Sequence, residues 1–434
     1  MARSIPHRFL WTLMTLVLLA PQVQAEQWPN WRGPLGNGIS SDTNVTLHWD
    51  KETNIAWRLP LPGKAGATPA VWNDRIFVTS KDGDDLVLIC VGTDGKKRWQ
   101  RTVGGRDRFV RNDEGNMASP SPTTDGEHVW AAMSTGDVAC FDLDGNEAWR
   151  LNLQDRYGKL KIAFGLSSTP VVFGDAIYFQ MIHGEGKAES QEAMVISLEK
   201  TTGKEIWRQD RVTGARSENE HSYASPILYN FGGEAYLITH GADYTIAHEL
   251  KDGRERWRLG GLNPQDDPTR RYHPTLRFVA SPAAAEGIII SPTAKNGPVF
   301  AIRPDQHGDL TGKQSAQIWM RPRNTPDVPS PLIAGGLVYL CRENGVLQCH
   351  DAATGEEVYT QRLHDRRHRA SPVLANGHIY LTARDGRVTV VKAGRKFEIV
   401  AQNDTNEETS ASLAISDGTI YLRTFEALWA ICKP

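Results

Sequence analysis

A Ser/Thr-Pro step followed by small or apolar residues recurs along the chain, and no other feature restricts the fold as tightly. It stands at Thr68-Pro69, Ser119-Pro120, Thr169-Pro170, Ser225-Pro226, Ser281-Pro282, Ser330-Pro331 and Ser371-Pro372, with Ser412-Leu413 as an eighth, degenerate copy. Successive steps lie 51, 50, 56, 56, 49, 41 and 41 residues apart. Periods of this length mark repeat architectures. A two-residue turn follows each step, such as Asn73-Asp74, Asp125-Gly126 or Asn376-Gly377. Asn, Asp and Gly tolerate the positive φ that a tight hairpin requires. A β-rich run comes next, as in Arg75–Thr79 or His378–Thr382, then a second turn and another short strand. A third turn leads into an aromatic residue: Trp99, Trp149, Trp207, Trp257, Trp319 or Tyr359. Each unit is thus four short antiparallel strands, the pattern of a propeller blade.

The chain's two ends argue for a closed ring. Asn54–Trp57 reads like the fourth strand of a blade yet precedes the first step, whereas the eighth unit has only three strands and ends at Leu428–Cys432. Pairing the two removes the edges that an open stack of sheets would expose. The expectation is an all-β fold: an eight-bladed β-propeller of four-stranded antiparallel blades over 54–434, closed by an N-terminal strand, after an extension at 26–53. The 39 glycines and 13 tryptophans fit one turn and one aromatic anchor per repeat. Such a Trp ring buries about 150–250 Å² against the next blade.

Residues 1–25 read as a secretory signal: Arg3, His7 and Arg8 precede an apolar run from Phe9 to Ala20, and Val23-Gln24-Ala25 offers a cleavage site. A retained N-terminal helix is the competing reading. The run is short of the ~20 residues that span a bilayer, and no Cys follows it as a lipid anchor. An exported protein, periplasmic or extracellular and with no transmembrane segment, is expected. Export permits disulfides. Cys341 and Cys349 flank a hairpin turn, but Cys140, Cys349 and Cys432 sit in apolar runs where small core residues belong.

The segments Asp94–Trp99, Lys200–Trp207 and Asp351–Tyr359 resemble the tryptophan-docking motif of quinoprotein alcohol dehydrogenase-like propellers, the pyrroloquinoline quinone (PQQ)-like repeat family. The opening Trp28–Pro34 is similar to that of exported bacterial members, and the resemblance extends over about residues 28–434. The family includes PQQ dehydrogenases and a non-catalytic outer-membrane assembly factor. The resemblance therefore implies the fold and leaves the activity open. Its dehydrogenases hold the quinone on the propeller axis beside Ca²⁺, and many stack a vicinal disulfide on it. No two cysteines are adjacent here and no Cys-x-x-Cys-His haem signal occurs. No calcium set can be carried over residue by residue.

Other chemistry is sparse. There is no phosphate loop, HExxH or G-x-S-x-G. Asp142–Glu147 has its glycine too early for an EF-hand, and His364 and His368 are four apart in a charged connection, not an evident helix. No catalytic or metal-binding residue is assigned. With 49 basic against 51 acidic residues the chain lacks the excess of a general nucleic-acid binder. The connections between blades, read as 100–116, 150–165, 208–223, 258–278, 320–328, 360–369 and 394–409, all open onto one face, and the seven taken together carry 23 basic and 15 acidic residues. A cation-rich funnel for a protein, a peptide or an acidic glycan competes with a plain solvated loop surface. Its candidates are Arg106, Arg108, Arg111, His221, Arg277, Arg321, Arg323 and His368. His221 and His368 would add charge as the pH falls toward their unperturbed value of ~6.5. The expected function is that of an exported, monomeric, non-catalytic binding or assembly scaffold, with no cofactor. The alternative is a PQQ- and Ca²⁺-dependent oxidoreductase acting on alcohols or sugars.

Overall fold

The computed structural model describes residues 26–105, 115–263 and 271–433, so the signal-like segment lies outside the described residues. The described residues form eight sheets, each built on four antiparallel strands. Blade one, for instance, runs through Ala70–Trp72, Arg75–Asp82, Asp85–Gly92 and Lys97–Gly105. The eighth sheet draws on both ends: Ile55–Pro60 pairs antiparallel with Ala427–Ile431, outside Thr419–Arg423 and Ala414–Ser416.

At the axis the Ser/Thr of each repeat joins its blade to the next. The Thr68 backbone N–H donates to Ser121 Oγ, and the Ser121 N–H donates to Thr169 Oγ1. The chain of bonds continues through Ser225, Ser281 and Ser330. It passes on through Ser371 and Ser412, and the Ser412 N–H returns to Thr68 Oγ1. All eight distances lie between 2.8 and 3.1 Å. Buried N–H groups near the axis have no ladder partner, so the neighbouring hydroxyl satisfies them. The proline after seven of the eight hydroxyl residues brings no N–H to pair; Leu413 follows Ser412. In blade two the ring member is Ser121, not Ser119: the sequence reads Ser119-Pro120-Ser121-Pro122, and the second step occupies the ring.

A second belt locks the blades further out. The indole N–H of Trp57, Trp99, Trp149, Trp207 and Trp319 donates to a backbone carbonyl of the next blade, Leu250 O for Trp207 at 2.9 Å. Each of these rings lies against the turn glycine of that blade. A Cβ on Gly95, Gly145, Gly203, Gly253 or Gly355 would come within 2.5–2.8 Å of it. Within its own sheet the aromatic residue sits opposite a small side chain, and the ladder register shifts just beyond it. Cys90 faces Trp99, Cys140 faces Trp149 and Cys349 faces Tyr359, while Ser197, Ala247, Ala301 and Ala430 serve the other Trp residues. Three of the cysteines are thus docking positions, and all five are free thiols. Cys341 and Cys349 flank the hairpin turn without facing each other: Cys341 pairs with Leu347 and Cys349 with Tyr339.

Two departures from the repeat stand out. Blade five lacks the docking turn, and its insertion lays Gly308–Asp309 parallel to Glu255–Leu259 over the fully buried Trp257. In blade seven the stretch 394–409, read from sequence as a connection, contains the outer strand Ile399–Asp404.

Two outcomes test the belt. Trp207→Ala is expected to lower stability by ~3–5 kcal/mol in chemical denaturation, since the ring is buried between blades. Gly203→Ala and Gly232→Ala both place a Cβ at positive φ, but only Gly203 meets a ring, that of Trp149. Gly203→Ala should cost ~1–3 kcal/mol more than Gly232→Ala; equal losses would show that the glycine serves the turn alone.

Candidate functional site

The hydroxyl ring fixes the height of every inner strand, and with it which residues face the axis. The residue two places before each ring hydroxyl lines one cavity of ≈ 300 Å³ on the connection face. Blades one to four supply Gly66, Ser119, Ser167 and Tyr223; blades five to eight supply Val279, Val328, Arg369 and Ser410. Four of the residues that follow the hydroxyls, Pro170, Pro226, Pro331 and Pro372, meet the N-terminal extension, which crosses the other mouth. Trp28 pairs with Val71 of blade one, and Ile39 bridges to Leu374 of blade seven. Between them the buried Arg32 guanidinium donates to Pro331 O at 2.7 Å and Pro372 O at 3.3 Å. Burial lowers its pKa to about 10, which leaves it charged at neutral pH.

The cavity is completed by connections and by the turns of the middle hairpins. Its cations are Lys64, Arg277, Lys295, Arg367, Arg369 and Arg384, against the carboxylates Asp327 and Glu343. Glu343 accepts from Arg367 at 2.7 Å and lies 3.5 Å from Arg369. Asp327 accepts from the Lys295 backbone N–H at 3.2 Å. Desolvation raises its pKa, helped by the nearby Glu343 and opposed by Lys295 and Arg277. The Arg277 guanidinium stacks 4.9 Å over Phe164 and lies 3.4 Å from Glu218. Phe425 carries Arg384 at 4.8 Å and Lys64 at 5.5 Å.

Of the eight candidates read from sequence, Arg277 lines this cavity. Arg106, Arg108 and Arg111 lie outside the described residues. Arg321 sits on an outer strand, bonded to Gly355 O and 3.4 Å from Glu357 of the next blade. Arg323 is exposed in the loop beyond that strand. His221 lines a shallow side groove beside the cavity, its Nε2 3.1 Å from Gly184 O. His368 is fully buried, with Nδ1 on Arg366 O. Burial pushes the pKa of both histidines down, to about 4 for His368. His368 therefore stays neutral near pH 6.5, and His221 takes up its proton below its unperturbed value, which corrects the expectation that both gain charge there. The candidates omit Lys64, Lys295, Arg367, Arg369 and Arg384. Arg367 stands among the basic residues of a connection, and counting two residues back from each hydroxyl finds Arg369; the other three needed the packing of neighbouring segments.

Metal chemistry finds little support. Among the described residues no group of three or more His, Cys, Asp or Glu is placed to hold a metal ion. Calcium takes six to eight oxygen ligands, and the two carboxylates of the cavity are already engaged with Lys295 and Arg367. Among the described residues the donor set does not fit the calcium of a quinoprotein dehydrogenase. Asp142 folds its carboxylate onto the N–H groups of Asp144 and Asn146, a turn. No helix among the described residues is long and apolar enough to cross a membrane.

Comparison with known proteins agrees with this architecture. The Moraxella catarrhalis outer-membrane assembly factor BamB superposes with a TM-score of 0.61 at 14% identity, over 87% of this chain and 99% of that one. A europium-containing methanol dehydrogenase gives 0.68 at 11% identity, over 91% and 89%. The quinohemoprotein alcohol dehydrogenase of Comamonas testosteroni gives 0.65 at 12%, over 94% and 81%. At such identities these likenesses speak for the fold alone. A curated relative, the tetrathionate hydrolase of Acidithiobacillus ferrooxidans, is 22% identical over 292 residues, which cover 66% of this chain. The chain spans about half (51%) of that relative's length. The family described as outer membrane protein assembly factor BamB matches at 38–186, 134–394 and 307–427. Because those matches run through nearly the whole propeller, the chain belongs to this PQQ-like β-propeller family.

Proposed function

We propose that this protein is an exported, non-catalytic binding propeller that holds an anionic ligand in the axial cavity of its connection face. The observation that carries the reading is the convergence of six cationic side chains against two carboxylates on one cavity to which every blade contributes. Low-dielectric walls focus the field of such a cluster and raise the local concentration of anions. The family's assembly factor fits a binding role, and the poor match to calcium weighs against the oxidoreductase reading. The tetrathionate hydrolase relative is named for an anionic substrate, which is compatible with an anion-binding axis without bringing its reaction to this chain.

Two results are expected. Calorimetric titration with sulfate at low ionic strength should show binding that weakens steeply with salt, as the Debye length falls from about 30 Å at 0.01 M to about 3 Å at 1 M. Lys64→Gln/Arg384→Gln should remove it; salt-indifferent binding, or none, would contradict the reading. The second result concerns pH. Asp327 faces Glu343, Lys295 and Arg277, and its raised pKa means that it takes up a proton sooner than an ordinary Asp as the pH falls. Each protonation removes one negative charge, so sulfate affinity should rise with acidification. Asp327→Asn should raise affinity at neutral pH and flatten that rise.

A further inference from the structure

The axial cavity has two unlike halves. The cations come from blades five to seven and from the entry to blade one: Arg277, Lys295, Arg367, Arg369, Arg384 and Lys64. The remaining arc, facing blades two to four, carries no charge among its described residues. It consists of Asn116, Ser119, Ser167, Phe164 and Tyr223. Phe164 and Tyr223 form a tilted aromatic pair with centroids 5.7 Å apart. The Ser167 hydroxyl donates to Tyr223 O, and Ser119 Oγ donates to Asn116 O. Ser119 Oγ also accepts the Asn116 N–H at 3.3 Å; since a hydroxyl oxygen has two lone pairs and one hydrogen, both hydroxyls keep acceptor capacity. Arg277 joins the halves, stacked on Phe164 while belonging to the cationic arc.

A cavity for inorganic anions alone has no use for the second half. Aromatic faces beside Ser hydroxyls and the Asn116 amide, whose Oδ1 accepts the Ala118 N–H and whose Nδ2 lies toward Gly66, suit a ring with apolar C–H faces and hydroxyl edges. A carboxylate on that ring would meet the guanidinium groups, where charge-assisted bonds are strongest. The volume is at the lower end of the range for small-molecule sites, ~300–1,000 Å³. We infer that the axial cavity is a site for an acidic sugar, a hexuronate or the terminal uronate of a short acidic saccharide. Its carboxylate lies on the Arg277–Arg384 side and its hydroxyl-bearing ring against Phe164, Ser167 and Asn116. The inference rests on the anion-binding reading above and adds the ring to it.

The test compares three probe classes by calorimetry on the full mature chain at low salt. These are D-glucuronate, D-galacturonate and D-mannuronate; the neutral parents D-glucose, D-galactose and D-mannose; and sulfate. At least one uronate is expected to bind about tenfold or more tightly than both its neutral parent and sulfate, the scale of one charge-assisted hydrogen bond. Phe164→Leu should weaken that uronate several-fold and leave sulfate unchanged, while Arg384→Gln should weaken both. Sulfate binding as tightly as every uronate, with Phe164→Leu silent, would overturn the acidic-sugar assignment and leave the anion reading standing. Neutral sugars binding as well as the uronates would overturn the assignment too. No salt-sensitive binding by any anion would remove both. Thermal melting of each variant distinguishes loss of a contact from loss of the fold.

Discussion

Eight backbone N–H groups near the axis, each donating to the Ser or Thr hydroxyl of the next blade, hold the parts of this molecule in register. A buried N–H without a partner costs on the order of 1–3 kcal/mol. A blade sliding along the axis would strand two such groups at once, its own and that of the blade before it. The ring therefore sets one common height for all eight inner strands. From that height follow the rows on either side: the residue two places earlier lines the connection-side cavity, and Pro170, Pro226, Pro331 and Pro372, one place later, meet the extension, the last two through Arg32. The return bond from Ser412 to Thr68 ties the last repeat to the first, as does the pairing of Ile55–Pro60 with Ala427–Ile431.

The outer belt works by shape instead of polarity. A Trp ring requires a flat partner on the next blade and a small one on its own sheet. The turn glycines supply the first, and Cys, Ser or Ala the second. This explains free cysteines in a chain with a signal-like leader. Cys90 and Cys140 lie under Trp99 and Trp149, where burial pushes each thiol up to about 12. Thiols held so far from ionisation are poor nucleophiles for disulfide chemistry. Where the belt's geometry lapses, at Trp257, extra chain covers the ring, so the ring must be covered one way or another.

Much of this was legible in the residues. The Ser/Thr-Pro steps, the Asn/Asp/Gly turns and the Trp spacing are local signals, and they specify blade number, strand order and the shared eighth sheet. The reading slipped where a signal was doubled, at Ser119-Pro120-Ser121-Pro122, because spacing alone cannot say which serine reaches the ring. It slipped again at 394–409, where Ile399–Asp404 carries no Trp to mark an outer strand. The site was far less legible. Charge in the connections was visible, but charge has no direction in a sequence. Arg321 turned out to serve the next blade, and His368 to be buried and neutral. Lys295 and Arg384 came from middle hairpins, whose turns meet only once the ring is assembled.

Ring and belt serve the scaffold whatever is bound, so the binding reading of this chain rests on what its axial row carries. Here the row and its flanking turns put a cationic arc beside a neutral aromatic one, on the face opposite the extension. The most direct measurement is anomalous diffraction at the selenium edge from crystals soaked in selenate at low ionic strength. The account predicts the strongest selenium peak on the propeller axis, within hydrogen-bonding distance of Arg277 or Arg384. Peaks confined to the outer surface, with none on the axis, would contradict it.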